Sequence, residues 1–330
     1  MNIEDIKTIA VIGAGDMGHG IAETALIGGY KVYLADVNRD VLEQGVRRIN
    51  ESLEKLVAKG VVTAEHNARI QSELIMPTTS LEVSVENADL AIEAVPENMD
   101  LKKKVFKAMD EAAADHTLLA SNTSTMKITD IATATNRPEK VFGLHFFNPV
   151  VLMKLVEVIR GEQTSEEAMQ IGFEFVKRIN KVPVRVEKDV PGFIVNRTQA
   201  PSGVLLNCYI DDGYVKPEEM DALLKLIGLP MGPYELMDYT GLDVALNASA
   251  YYAETVHPDF APGRILKSKV DAGELGKKTG KGFYDWQNGR PEIDLSKAAK
   301  NLDPVDMLLV NLNEATKIVE MGVCSLEDVD

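Results

Sequence analysis

Residues 7–20 read KTIAVIGAGDMGHG, an apolar run, then Gly13, Gly15 and Gly18 in the spacing G-x-G-x-x-G, then a helical pattern over 21–28. Few stretches restrict a fold more. A strand must end in a turn tight enough to need the first glycine. Backbone must lie open at the second, and a helix must start close against the strand at the third. Asp16 and Met17, between the glycines, belong to the same cofactor loop. Asp36 closes the next apolar run, 31–36 (KVYLAD), at the distance where a carboxylate accepts both ribose hydroxyls. Its charge opposes a 2′-phosphate, so the expected cofactor is NAD rather than NADP.

Short apolar runs recur at 89–95, 117–120, 141–146 and 153–159, with helical patterns near 100–114 and 127–135 between some of them. Strands alternating with helices predict an α/β protein with a Rossmann-type, doubly wound and mostly parallel sheet. After 188–197 (KDVPGFIVNR) strand patterning nearly disappears. Segments 194–212, 217–227, 233–238 and 241–256 read as helices, and 271–286 as a glycine- and lysine-rich loop. The expected division is an NAD-binding domain over 1–189, an all-α dimerisation and substrate domain over 190–289, and a helical tail over 290–330.

Charge narrows the partners. The 51 acidic residues outnumber 35 basic ones for a net charge of −16, a field that repels nucleic acid. Placed lysines and a helix N-terminus still suit a phosphorylated cofactor. No run is long and apolar enough to span a bilayer, and the N-terminus is acidic and then strand-like, so the expectation is a cytoplasmic protein without a membrane partner. Cys208 and Cys324 lie far apart without ligand spacing, which predicts two reduced thiols and no metal site.

Residues 141–157, VFGLHFFNPVVLMKLVE, place His145 and Glu157 on consecutive apolar runs. A neutral imidazole and a carboxylate to orient it are what removing a proton from an alcohol requires. Taken alone, His145 reads equally as a base or as a satisfied core histidine. Glu157 amid apolar residues needs a partner, either His145 or a lysine such as Lys154. Asn122 and Ser124, in LASNTSTM, suit a donor turn beside a reacting centre or an ordinary helix cap.

With these residues in place, the chain resembles the L-3-hydroxyacyl-CoA dehydrogenase family, which includes bacterial 3-hydroxybutyryl-CoA dehydrogenases. The matching stretches are VIGAGDMGHGIA, EAVPENMDLKKKVF, LASNTSTMKIT, GLHFFNPVVLMKLVEVI, VPGFIVNR, MGPYELMDYTGLD and GKKTGKGFYDW, in family order across 7–286. The resemblance implies a fatty-acid β-oxidation enzyme that oxidises an acyl-CoA substrate with NAD. It makes His145 the general base, oriented by Glu157, with Ser124 and Asn196 positioning the substrate. It also implies that Glu97, Lys102 and Asn122 contact NAD, that Ser52 and Lys59 meet coenzyme A, and that the chain forms a homodimer. Read from spacing alone, Glu97 with Lys102 is a surface pair at a helix start, and Ser52 with Lys59 an exposed helix face. Two other functions stay open: a related dehydrogenase of a free hydroxy or sugar acid, and a cofactor-binding structural protein. The intact Ser124, His145, Glu157 and Asn196 set argues against the latter.

The tail carries a weak internal repeat. Residues 313–330 register without gaps on 204–221, aligning Gly322 with Gly213, Glu327 with Glu218, and Asp330 with Asp221. The second copy has the family's Asn-Glu-Ala form, whereas the first has Leu205-Leu206 where the family carries Glu-Ala. The expectation is a chain cut within a duplicated helical domain, of the kind some relatives fuse to an enoyl-CoA hydratase.

Overall fold

The computed structural model describes residues 2–330. They divide into two units, Met1–Ile194 together with Met321–Asp330, and Val195–Glu320. The expected boundary after 189 therefore falls a few residues later. Val190, Phe193 and Ile194 are buried, and the Ile194 amide donates to Glu157, which ties 190–194 to the sheet. The last ten residues also return to the first unit, where Glu187 N donates to the Val323 carbonyl.

The first unit is one sheet of eight strands in the order β3-β2-β1-β4-β5-β6-β7-β8. The strands are β1 (Thr8–Ile12), β2 (Lys31–Ala35), β3 (Ile75–Thr78), β4 (Leu90–Glu93), β5 (Leu118–Ser121), β6 (Val141–Phe146), β7 (Leu155–Arg160) and β8 (Val182–Val186). All neighbouring pairs run parallel except β6 with β7. Strands covered on both faces need apolar side chains throughout, and β4, β5 and β6 are buried at every position. The sequence patterning did not reveal β3 and β8. Their segments, IMPT and VPVRV, each contain a proline and lie at the two edges of the sheet, where strand signals are weakest and proline is tolerated.

Two helices bring the flanking chemistry to the sheet. Helix α1 (Gly18–Ile27) follows β1, and α2 (Arg39–Ala58) follows β2. Helix α2 buries Leu42, Gly45, Ile49 and Leu53, the stripe expected of a surface helix. Its entry is fixed by Asn38, whose side chain accepts the Asp40 and Val41 amides. Gly45 lets it touch the cofactor loop, since a Cβ there would stand 2.8 Å from the Ala14 carbonyl. Further helices of this unit are α3 (Ala64–Arg69), α4 (Leu81–Glu86), α5 (Met99–Ala112), α6 (Ile128–Ala132) and α7 (Glu166–Arg178).

The second unit is helical, with α8 (Val195–Asp211), α9 (Pro217–Leu226), α10 (Pro233–Thr240), α11 (Leu242–Thr255), α12 (Arg264–Asp271) and α13 (Val305–Glu320). Leu206, Ile210, Val215, Met220, Leu224 and Tyr234 form its core. Leu206, one of the two departures from the family pattern, is thus a core residue. The glycine- and lysine-rich loop is organised by Asp238, whose carboxylate accepts the Phe283 and Tyr284 amides and the Trp286 indole N–H. The short α14 (Leu326–Val329) ends the chain in the first unit.

Candidate active site

The parallel strands β1, β4, β5 and β6 all point their carboxyl ends to the same edge. The sheet order reverses direction around β1, so a crevice opens there between the loops after β1 and β4. The loop after β1 holds Gly13 at φ +103°, where a Cβ would lie 2.7 Å from the Ala94 carbonyl. At Gly18 a Cβ would overlap the Gly13 carbonyl at 1.7 Å, so α1 can start against the strand only with glycine there. At Gly15 a Cβ would meet nothing within 4 Å. That open space, facing the N-terminal end of α1, suits a pyrophosphate. Asp36, after β2, accepts the Ala14 amide at 2.9 Å through Oδ2 and the Asn38 amide at 2.8 Å through Oδ1, which braces the loop. Asp16 is exposed and pairs with Arg48 of α2 at 2.5 Å, while Met17 is the N-cap of α1. These residues fit a dinucleotide. Replacing Asp36 with Ala removes two charged hydrogen bonds from the loop. We expect NAD affinity to fall about tenfold in a calorimetric titration and the preference over NADP to narrow. Unchanged affinity would sever Asp36 from the cofactor.

Beside the crevice, β6 and β7 pair antiparallel with His145 directly opposite Glu157. His145 Nδ1 lies 2.5 Å from Glu157 Oε2. A carboxylate only accepts, so Nδ1 donates, and in the neutral ring Nε2 carries the lone pair. Glu157 Oε1 accepts the Ile194 amide at 2.9 Å, and the carboxylate is fully buried. The imidazole, 4% exposed, sits between Phe147 and Phe193 at ring separations of 4.4 and 5.9 Å. His145 is thus a buried histidine whose Nδ1 is held by Glu157.

Asn122, after β5, accepts the Phe146 amide at 2.9 Å and so fixes the end of the strand that carries His145. Ser124 is tied to Glu97, which accepts its amide at 2.7 Å and its hydroxyl at 3.0 Å, together with the Thr123 hydroxyl at 2.7 Å. Lys102 of α5 is only 1% exposed, which corrects its reading as half of a surface pair. Its ammonium spends its three donors on Glu93 Oε1 (2.8 Å), Glu97 Oε2 (3.1 Å) and the Val95 carbonyl (3.2 Å). Burial works against the charge of Lys102, but Glu93 and Glu97 outweigh it and raise its pKa. Desolvation likewise opposes ionisation of Glu97, and Lys102 with the Thr123 and Ser124 donors overcomes it, lowering the carboxyl below its usual range. Glu93, absent from the sequence-based candidates, anchors this chain of contacts and also accepts the Ser121 hydroxyl and Val95 amide. Its signal was present, since a lone acid in the apolar run 89–95 poses the same pairing problem as Glu157.

Ser52 lies half-buried on α2 and Lys59 caps its end, exposed. Asn196 stands in the first turn of α8 in the second unit. Among the described residues no cluster of His, Cys, Asp and Glu could hold a metal ion, and no helix is long and apolar enough to cross a membrane.

A glycine loop that fits a dinucleotide, with an imidazole held by a buried carboxylate on the same sheet, is the pattern of a nicotinamide-dependent oxidoreductase that acts on an alcohol carbon. The family model for the 3-hydroxyacyl-CoA dehydrogenase NAD-binding domain matches residues 8–190, and that for the C-terminal domain of the same enzymes matches 192–286. The chain belongs to the 3-hydroxyacyl-CoA dehydrogenase family, and its cofactor is NAD. It is 42% identical over 286 residues to a probable 3-hydroxybutyryl-CoA dehydrogenase of Bacillus subtilis, covering 86% of this chain and 98% of that one. With the 3-hydroxybutyryl-CoA dehydrogenase of Clostridioides difficile the identity is 43%, over 84% and 99% of the two chains. The crystal structure of the Escherichia coli 3-hydroxybutyryl-CoA dehydrogenase superposes with a TM-score of 0.80 at 36% identity, and this chain spans 91% of itself and 63% of that longer protein.

Proposed function

We propose that this chain oxidises an L-3-hydroxyacyl-CoA, such as 3-hydroxybutyryl-CoA, to the 3-ketoacyl-CoA, and that His145 is the general base. The observation that carries the reading is the opposed pair on β6 and β7. Glu157 holds the tautomer in which Nε2 accepts the proton of the substrate 3-hydroxyl, and its buried charge stabilises the imidazolium that forms. Bound NAD supplies the hydride acceptor for C3. Gly13, Gly15, Gly18 and Asp36 hold that cofactor, with Asp16 and Met17 in the same loop. By the family resemblance Glu97, Lys102 and Asn122 contact the same cofactor. Ser124 and Asn196 position the substrate. Ser52 and Lys59 take the coenzyme A arm, where a lysine suits a phosphate on an otherwise acidic protein.

The test compares NADH consumption with acetoacetyl-CoA and with free acetoacetate. We expect the thioester to be preferred by roughly a hundredfold or more in kcat/KM, because the distant coenzyme A contacts contribute to transition-state binding. Equal use of both would remove coenzyme A from the reading, and turnover of neither would remove the dehydrogenase. The same reading includes a homodimer, which light scattering on the purified chain checks.

We infer also that the tail is a second copy of the α8–α9 hairpin. Shifted by the sequence register, α13 spans the same stretch as α8, and α14 starts where α9 starts. Gly213 and Gly322 share a left-handed backbone at φ +72° and +68°. Glu219 and Asp328 cap the second helix of each copy in the same way, accepting the Lys216 and Ser325 amides.

A further inference from the structure

Lys181, just before β8, is only 8% exposed although its side chain ends in a charge. Its ammonium donates to the backbone carbonyls of Val150, Val151 (3.2 Å) and Met153 (2.7 Å). All three donors of the group are thereby engaged by one stretch of chain, the connection between β6 and β7. Burying an ammonium among neutral carbonyls is a costly way to hold a loop, since carbonyls offset its lost hydration less than a carboxylate would. What the cation supplies is geometry. Three carbonyls meeting at one point leave the backbone from 150 to 153 a single path.

That connection touches the site twice. Phe147, its first residue, lies against the His145 ring with 4.4 Å between centroids. Val150 is buried against α1, where a Cβ on Gly20 would stand 2.8 Å from the Val150 Cβ. The base and the helix of the cofactor loop are therefore braced by the same few residues. Beyond Val150 the chain turns, and the Pro149 carbonyl accepts the Leu152 and Met153 amides, both at 3.0 Å. Leu152 and Met153 themselves face outward, 75% and 42% exposed. Because β6 runs parallel to β5, the connection lies at the sheet edge that carries the cofactor loop.

We propose that Leu152 and Met153 form the wall that receives the acyl chain beyond C3, and that Lys181 is the positioning residue that holds this wall. The inference rests on the assignment of His145 to the substrate 3-hydroxyl and of α2 to coenzyme A. In the sheet order, β2 and β6 stand on opposite sides of the crevice between β1 and β4, and α2 follows β2. A substrate with its coenzyme A arm at α2 and C3 at His145 crosses that crevice. Its remaining carbons then run on past β6, toward β7 and the connection that joins them. A methylene there leaves water for apolar side chains, and each one buried strengthens binding about fourfold.

The experiment compares kcat/KM for 3-ketohexanoyl-CoA and acetoacetyl-CoA at saturating NADH in the wild type, Leu152→Ser, Lys181→Met and Lys181→Gln. The readout is the ratio of the longer to the shorter substrate, because a loss of folded enzyme lowers both values alike and leaves it unchanged. We expect Leu152→Ser to lower this ratio about threefold or more. Lys181→Met keeps the stem and loses the ammonium, and should lower the ratio as far. Lys181→Gln keeps two donors on a shorter stem and should fall between, which keeps the test valid if Lys181→Met does not fold. A wild-type ratio in Leu152→Ser overturns the wall, as does a wild type that turns over acetoacetyl-CoA alone. A wild-type ratio in the lysine variants, with activity lost on both substrates, makes Lys181 a strut and overturns its positioning role. The underlying reading fails separately, by turnover of neither thioester or by equal use of free acetoacetate.

Discussion

Replacing His145 with Gln should lower kcat by roughly 10²–10⁴ while leaving NAD affinity near that of the wild type. Glutamine can keep a hydrogen bond to Glu157 and fills much of the slot between Phe147 and Phe193, so the two strands should stay in register. What it lacks is a basic nitrogen where Nε2 stood. The substrate hydroxyl then has no acceptor for its proton, and the loss appears in turnover rather than in binding. Stopped-flow or steady-state rates with acetoacetyl-CoA, alongside a calorimetric NAD titration, separate the two quantities. If NAD affinity fell as far as kcat, His145 would belong to the cofactor site and the general-base assignment would be lost.

Lys102→Met should destabilise the first unit by about 3–5 kcal/mol, the usual cost of leaving a buried charge without its partner. Glu93 is fully buried, and without the ammonium it retains only the Ser121 hydroxyl and Val95 amide as donors. Methionine fills the stem of the lysine, so lost packing contributes little. The pH dependence has a definite sign. Glu97 is held below its ordinary value of 4.5, so it contributes stability above that pH and loses it on acidification. Lys102 is held above its ordinary 10.5, so its contribution is complete below that pH and fades as the solution becomes more alkaline. The deficit of Lys102→Met should therefore be greatest between about pH 5 and 10 and shrink below pH 4. Urea unfolding at pH 7 and at about pH 3 checks the size of the deficit and its loss on acidification. A loss under 1 kcal/mol at pH 7 would mean that the network stabilises the fold no more than a surface ion pair does. Because Glu97 also holds Ser124, the same variant should raise the substrate KM, which ties the stability of the network to the site.

The extent to which these assignments were legible differs from residue to residue. The glycine loop was, because its constraint is local: a positive φ at Gly13 and a contact at Gly18 concern atoms a few bonds apart. The helices of the second unit were legible for the same reason, and α8, α9, α10 and α11 fall within two residues of the expected segments. The edge strands β3 and β8 were not, since prolines and exposed positions remove the apolar signal. Lys102 was misplaced because a lysine at the start of an amphipathic helix usually reaches water. Only the tertiary structure shows that the buried Glu93 at the end of β4, with Glu97 in the loop beyond it, draws the ammonium inward. Glu23, buried in the middle of α1, also went unnoticed in IAETALI, although an acid on the apolar side of a helix carries the same warning as Glu157 in its strand.

By itself the sequence determined a strand–loop–helix that binds NAD, a helical second part, and an imidazole and a carboxylate on successive apolar runs. It did not determine that the two would meet. Side chains twelve residues apart touch only because β7 turns back antiparallel on β6 in the register that puts Glu157 across from His145. A slip of one residue would send Glu157 to the other face of the sheet. Register depends on the packing of the whole sheet and on Ile194, which reaches back to hold the second oxygen of Glu157. Those are long-range contacts, and only the tertiary structure supplies them.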